Sequence, residues 1–181
     1  MKVYYEDAKK TFDVEIEALT RVKSSLGKSF DEAVDKILST KGRVIFIGIG
    51  KSGIIADKIA ASFSSVGLAS FYIDAGTAYH GDLGRVSSDD VVIFISNSGE
   101  TQEVLQALSA LQNIHNNELA TIAMTGSEDS TLAKNTDIVL SIDVAEEADI
   151  TKLAPTSSTT ATLVMGCLLY TSPSPRDTER S

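Results

Sequence analysis

The sequence predicts a doubly wound α/β domain, a parallel sheet of about five strands with helices on both faces. Two observations carry this. Short apolar runs rich in β-branched residues recur along the chain, as in Val91-Val92-Ile93-Phe94-Ile95, and a continuous run of this kind is a strand buried on both faces. Between those runs lie stretches with apolar residues at steps of three and four, the period of helices.

Tyr5, Ala8, Phe12, Ile16, Leu19, Val22 and Leu26 form one apolar stripe of a first helix, closed by Gly27. Ser29 with Glu32 reads as a capping box opening a second helix, whose inner face is Phe30, Ala33, Val34, Ile37 and Leu38. These helices make up an N-terminal part over residues 1–42, and the sheet begins at 43. The first strand, Arg43 to Ile47, runs into Gly48-Ile49-Gly50-Lys51-Ser52-Gly53 and a helix that Gly67 breaks. Ser70 to Ile73 is a short second strand, followed by a polar loop with His80-Gly81-Asp82-Leu83-Gly84. Val91 to Ile95 is the third strand, and its helix has Val104, Leu105, Leu108 and Leu111 inward. Leu119 to Met124 is the fourth, and a short helix spans Ser130 to Lys134. Ile138 to Ile142 is the fifth. An acidic loop leads to Pro155-Thr156-Ser157-Ser158, with proline suited to the first turn of a last helix. Ligands of such sheets bind at the carboxyl ends of the strands, and all the polar loops just named fall on that edge.

The 181 residues suffice for one domain with a sizeable core. A net charge of −9 argues against nucleic acid or an anionic membrane as partner. No apolar run is long enough to span a bilayer, and the opening turns acidic at once rather than reading as a signal peptide. A single cysteine leaves disulfides no part in the fold, so the cytoplasm is the expected compartment. Residues 167–181 stand apart. Cys167 to Asp177 is the translation of a nucleotide string resembling a widely used transposase sequencing adapter, and Pro173 and Pro175 stop a helix. This tail is expected to form no domain, so the last helix is expected to end early and the domain to span 43–166.

The chemistry gathers where strands turn into helices. After the third strand come Ser96, Asn97, Ser98, Gly99, Glu100, Thr101, Gln102 and Glu103. Three hydroxyls there, beside the unpaired N–H groups of a helix's first turn, make an anion site. Capping alone, by Ser98, asks for only one hydroxyl. Gly99 lets a ligand approach the backbone or supplies a positive φ. Gly48 to Gly53 fits G-x-G-x-x-G, and Asp74 at the second strand's end lies where a dinucleotide fold places its ribose acid. NAD binding is therefore the alternative. Against it stands the second hydroxyl-rich turn, which a small phosphorylated sugar would use. Lys51 adds a positive charge inside the first turn. His115 reads as a surface residue.

Gly-Ile-Gly-Lys-Ser-Gly, His-Gly-Asp-Leu-Gly, Ile-Ser-Asn-Ser-Gly-Glu and Leu-Ala-Pro-Thr-Ser-Ser-Thr-Thr-Ala-Thr-Leu-Val-Met-Gly, in this order, resemble the sugar-isomerase (SIS) domain of arabinose-5-phosphate isomerases. The resemblance runs from about Tyr5 to Gly166 and implies a SIS-type, flavodoxin- or Rossmann-like sheet. It implies interconversion of D-ribulose 5-phosphate and D-arabinose 5-phosphate, a step towards the octulosonate sugar of lipopolysaccharide, by a homotetramer. It implies catalytic roles for Lys51, Glu100 and Glu147, with His80 against substrate and counted among the acid/base candidates. The substrate-binding set is Gly50, Ser52, Asp74, His80, Ser96, Asn97, Ser98, Thr101 and Glu103. Aldose–ketose exchange needs a base, an acid and an oxyanion stabiliser but no redox cofactor. Family members often carry a histidine, a proposed zinc ligand, where this chain has Asp74. A non-catalytic sugar-phosphate sensor is a further alternative. Such sensors are usually fused to a DNA-binding helix-turn-helix, and the N-terminal helices here are acidic, with no basic recognition helix.

Overall fold

The computed structural model describes residues 4–171. Two helices, α1 (Tyr4–Ser25) and α2 (Lys28–Ser39), precede β1 (Val44–Gly48) and α3 (Gly50–Ser65). Then come β2 (Ser70–Asp74), two 3-10 turns, β3 (Val91–Ile95) and α4 (Gln102–Ile114). β4 (Ala120–Thr125), the one-turn α5 (Thr131–Lys134), β5 (Ile138–Ser141) and α6 (Ser157–Thr171) complete the fold. The five strands are parallel in the order β2-β1-β3-β4-β5. Chain direction across the sheet reverses between β1 and β3, the switch point at which such sheets open a crevice for ligands.

Alternation along the strands builds two cores. Val44 and Phe46 of β1 and Val91, Ile93 and Ile95 of β3 pack against α2, α3 and α6 on one face. Ile45, Ile47, Val92 and Phe94 pack against α4 and the loops after β2 on the other. Helices α3 and α6 run parallel on the first face. A side chain at Gly166 would overlap the fully buried Ile59, and one turn on, Phe63 meets Tyr170 edge-on at 5.7 Å. Parallel running brings the N-termini of α3 and α6 to the same carboxyl edge of the sheet.

Several sequence expectations change here. α2 begins at Lys28 with Gly27 as its N-cap and no side-chain cap, so Ser29 lies inside the helix and the capping box does not form. α1 is amphipathic, but of its stripe Val22 is fully buried, Leu19 and Leu26 lie against the core, and Tyr5, Ala8, Phe12 and Ile16 face solvent. Periodicity identifies an apolar face and does not say what covers it. Pro155 stands before α6 rather than in its first turn. α6 continues past Gly166 to Thr171, because Leu169 and Tyr170 keep the helical spacing and land on the core. Residues 172–181, with both tail prolines, lie outside the described residues. His115 is half-buried, and its Nε2 is buried without a hydrogen-bond partner among the described residues. It caps the C-terminus of α4, away from the strands' carboxyl edge. Among the described residues no helix is long and apolar enough to cross a membrane.

Candidate functional site

The switch point is flanked by two helices whose N-termini lack side-chain caps. α3 starts at Gly50, which has φ +61°, after Ile49. Its first turn presents Lys51, exposed and without an ion-pair partner among the described residues, and the half-buried Ser52. On the other side, Ser96 leaves β3 buried, and its hydroxyl does the shaping of the next turn. Ser96 Oγ accepts from Gly99 N at 3.1 Å and pairs with Thr101 Oγ1 at 2.7 Å. Thr101 is the N-cap of α4, yet its hydroxyl is engaged with Ser96 and makes no cap bond. Ser98 Oγ accepts from Glu100 N at 3.2 Å, so it closes a local turn before the helix instead of capping it. Among the described residues the first-turn N–H groups of α4 therefore have no side-chain acceptor, as an anion site requires.

Gly99 is forced twice over. It has φ +67°, and a Cβ there would overlap Ser130 and lie 2.8 Å from Thr125 Oγ1. Leu132 N donates to Gly99 O at 3.0 Å and Gly126 N donates to Asn97 O at 2.9 Å, so the turn after β4 clamps the turn after β3. The side chains of Asn97 and Ser98, and Glu103 in the first turn of α4, are exposed around this clamp.

Asp74 ends β2, in register with Gly48. Its Oδ1 accepts from Gly76 N at 2.8 Å and its Oδ2 from Tyr72 Oη at 3.1 Å. Burial, then the hydrogen bond to Asp74, keeps the Tyr72 phenol protonated well above its usual range. His80 is exposed in the 3-10 turn after β2, and its backbone N–H donates to Thr77 O. Glu100 turns towards α5, where its Oε1 accepts from Thr131 N at 2.7 Å. That bond, joined by the Thr131 side chain, lowers its pKa. Glu147, in the loop after β5, is committed to the N-terminus of α6. It accepts from Thr156 N at 2.7 Å, Thr156 Oγ1 at 3.0 Å and Ser158 N at 3.2 Å, and also from Ser158 Oγ. Lys51, His80, Glu100 and Glu147 thus share one edge of the sheet, but no hydrogen bond joins any two of them.

No three His, Cys, Asp or Glu side chains converge among the described residues, so they assemble no metal centre around Asp74 by themselves.

The sequence model of the SIS domain matches residues 37–172. The chain belongs to the SIS-domain family. It is 42% identical to the arabinose 5-phosphate isomerase KdsD of Francisella tularensis over 169 residues, which is 92% of this chain and 51% of that protein. This SIS domain thus spans about half the length of the curated relatives it matches. Among solved structures it resembles E. coli CFT073 c3406 in complex with arabinose 5-phosphate, with 43% identity and a TM-score of 0.85, covering 91% of this chain and 86% of that one. A Bacteroides fragilis protein superposes with a TM-score of 0.90 at 31% identity, covering 98% and 91%.

Two contributors to this SIS-domain site escaped the sequence reading. Tyr72 lies inside an apolar strand and gives no polar signal, save that it precedes Asp74 by two residues and so shares its strand face. Ser130 reads only as the start of a short helix, whereas its side chain also walls the turn at Gly99. Glu147 alone would read as solvent-facing, and its capping partners lie nine and eleven residues away.

The capping carboxylate has a pH signature. Burial pushes the Glu147 pKa up, but hydrogen bonds from Ser158 and Thr156 outweigh it and leave the pKa below the ordinary 4.5. A depressed carboxylate stabilises the fold above its unfolded-state pKa, and that stability is lost as pH falls through the folded value. Glu147→Ala should cost about 1–2 kcal/mol at neutral pH. The deficit should shrink as pH falls below 4.5. Urea unfolding across that range checks both.

Proposed function

We propose that this domain binds a pentose 5-phosphate at the switch point and interconverts D-ribulose 5-phosphate and D-arabinose 5-phosphate. The observation that carries this is the uncapped N-terminus of α4 ringed by Ser96, Ser98 and Thr101, facing the equally uncapped α3 across the β1–β3 crevice. Phosphate belongs at the α4 turn, where N–H groups and hydroxyls meet. Gly50, Ser52, Asp74, Asn97, Glu103 and His80 are left for the sugar hydroxyls. The names of the relatives support the same substrate.

The chemistry follows from the reaction class. A base takes the proton from C2 of the aldose, the electrons form an enediolate, and C1 is reprotonated while a hydroxyl proton passes from O2 to O1. Lys51 stabilises the developing oxyanion. Glu100, ionised and at the rim of the phosphate turn, is the base. Glu147, hydrogen-bonded to Thr156 and Ser158, holds the start of α6 at this edge and is the second carboxylate candidate for proton transfer. His80 meets substrate and is the acid candidate. The product serves the octulosonate sugar of lipopolysaccharide, and no redox cofactor takes part.

Self-association belongs to the same proposal. Tyr5, Phe12 and Ile16 are 62%, 68% and 51% exposed along one side of α1, an apolar stripe suited to a second copy in a homotetramer.

Thermal shift with arabinose 5-phosphate, ribulose 5-phosphate and NAD tests the ligand. A rise in Tm with both pentose phosphates and none with NAD is expected. A rise with NAD alone would establish the dinucleotide alternative. Binding without isomerisation would mark a sensor module.

A further inference from the structure

We infer that Tyr72 is a positioning residue that fixes the Asp74 carboxylate for the sugar; this rests on the pentose-phosphate reading above. The phenol does more than fill the core. Its ring packs against the face that carries α3, and its hydroxyl reaches the carboxyl edge between two acceptors. Gly48 O and Asp74 Oδ2 each lie 3.1 Å from Tyr72 Oη. One O–H cannot serve both fully. Gly48 O already accepts from Ala75 N at 2.9 Å, so the proton is needed at the carboxylate.

The fit depends on Gly53. A Cβ there would overlap Tyr72 Oη, so the glycine in the first turn of α3 makes room for this hydroxyl. The same phenol therefore touches the end of β1, the first turn of α3 two residues beyond Lys51, and Asp74. With Gly76 N on Oδ1 and Tyr72 on Oδ2, the carboxylate is fixed in orientation before any ligand arrives. A pre-oriented acceptor beside the crevice suits a sugar hydroxyl, and it would not contribute to holding the phosphate.

The test measures the affinity of the full 181-residue chain for arabinose 5-phosphate and for inorganic phosphate by titration calorimetry. Tyr72→Phe should weaken the sugar phosphate about tenfold while leaving inorganic phosphate within about twofold, the scale of one charge-assisted hydrogen bond. Asp74→Asn should do the same, and the double variant should bind no worse than Asp74→Asn alone. Equal losses on both ligands would reduce Tyr72 to a structural role and overturn the inference. Additive losses, or a silent Tyr72→Phe beside a binding parent, would overturn it as well. A parent that binds inorganic phosphate and no pentose phosphate would overturn the substrate reading, and this inference with it.

Discussion

Glu100→Gln should lower pentose-phosphate turnover by about a hundredfold or more, the usual scale for losing a base. Affinity should stay within a few-fold. The substitution is nearly isosteric, and the amide oxygen can still accept from Thr131 N, so the side chain keeps its place. Only the charge goes. Because the Thr131 hydrogen bonds hold the Glu100 pKa below its ordinary 4.5, the base is ionised across the neutral range, and its acid limb in kcat/KM should lie below that value. Steady-state kinetics with either pentose phosphate reads both quantities. Near-native turnover would remove Glu100 from the chemistry.

Gly99→Val should abolish sugar-phosphate binding and cost about 2–4 kcal/mol of stability. A valine at φ +67° is strained before any contact is considered. Its Cβ would also overlap Ser130, which cannot swing away because its hydroxyl donates to Ser127 O and accepts from Ala133 N. The turn would have to part from Leu132 N and Gly126 N, and with it would go the geometry of Ser96 and Thr101. Gly99→Ala should fall between. Urea unfolding and calorimetry on the same samples separate the two effects.

The central strands β1, β3 and β4 were legible because burial on both faces writes itself as continuous apolar runs, and the edge strands β2 and β5 showed as shorter runs only half buried. All five strands lie where those runs predict, with ends moved by about one residue, as at Val44–Gly48. The hydroxyl turn was legible for the opposite reason, since three hydroxyls so close together exceed what a cap needs. What stayed hidden depends on register and distance. Tyr72 matters because β1 pairs with β2 so that Gly48 stands beside Asp74, a fact of tertiary pairing. Ser29 with Glu32 has the capping spacing, but the N-cap of α2 is Gly27, two residues earlier, and the motif has no helix end to cap. The stripe on α1 is real, yet only the turns around Ala18 and Val22 meet the core. Glu147 caps α6 across a loop, and local sequence rules do not reach that far.

Isomerisation through an enediolate leaves an isotopic record at the sugar carbons. The chain is incubated with D-ribulose 5-phosphate in deuterium oxide, and the products are read by proton NMR and mass spectrometry. D-Arabinose 5-phosphate carrying deuterium at C2 is expected, with incorporation falling in parallel with turnover for Glu100→Gln. Recovery of ribulose 5-phosphate with no aldose and no deuterium, from a chain that binds the sugar phosphate, would contradict the proposed isomerisation.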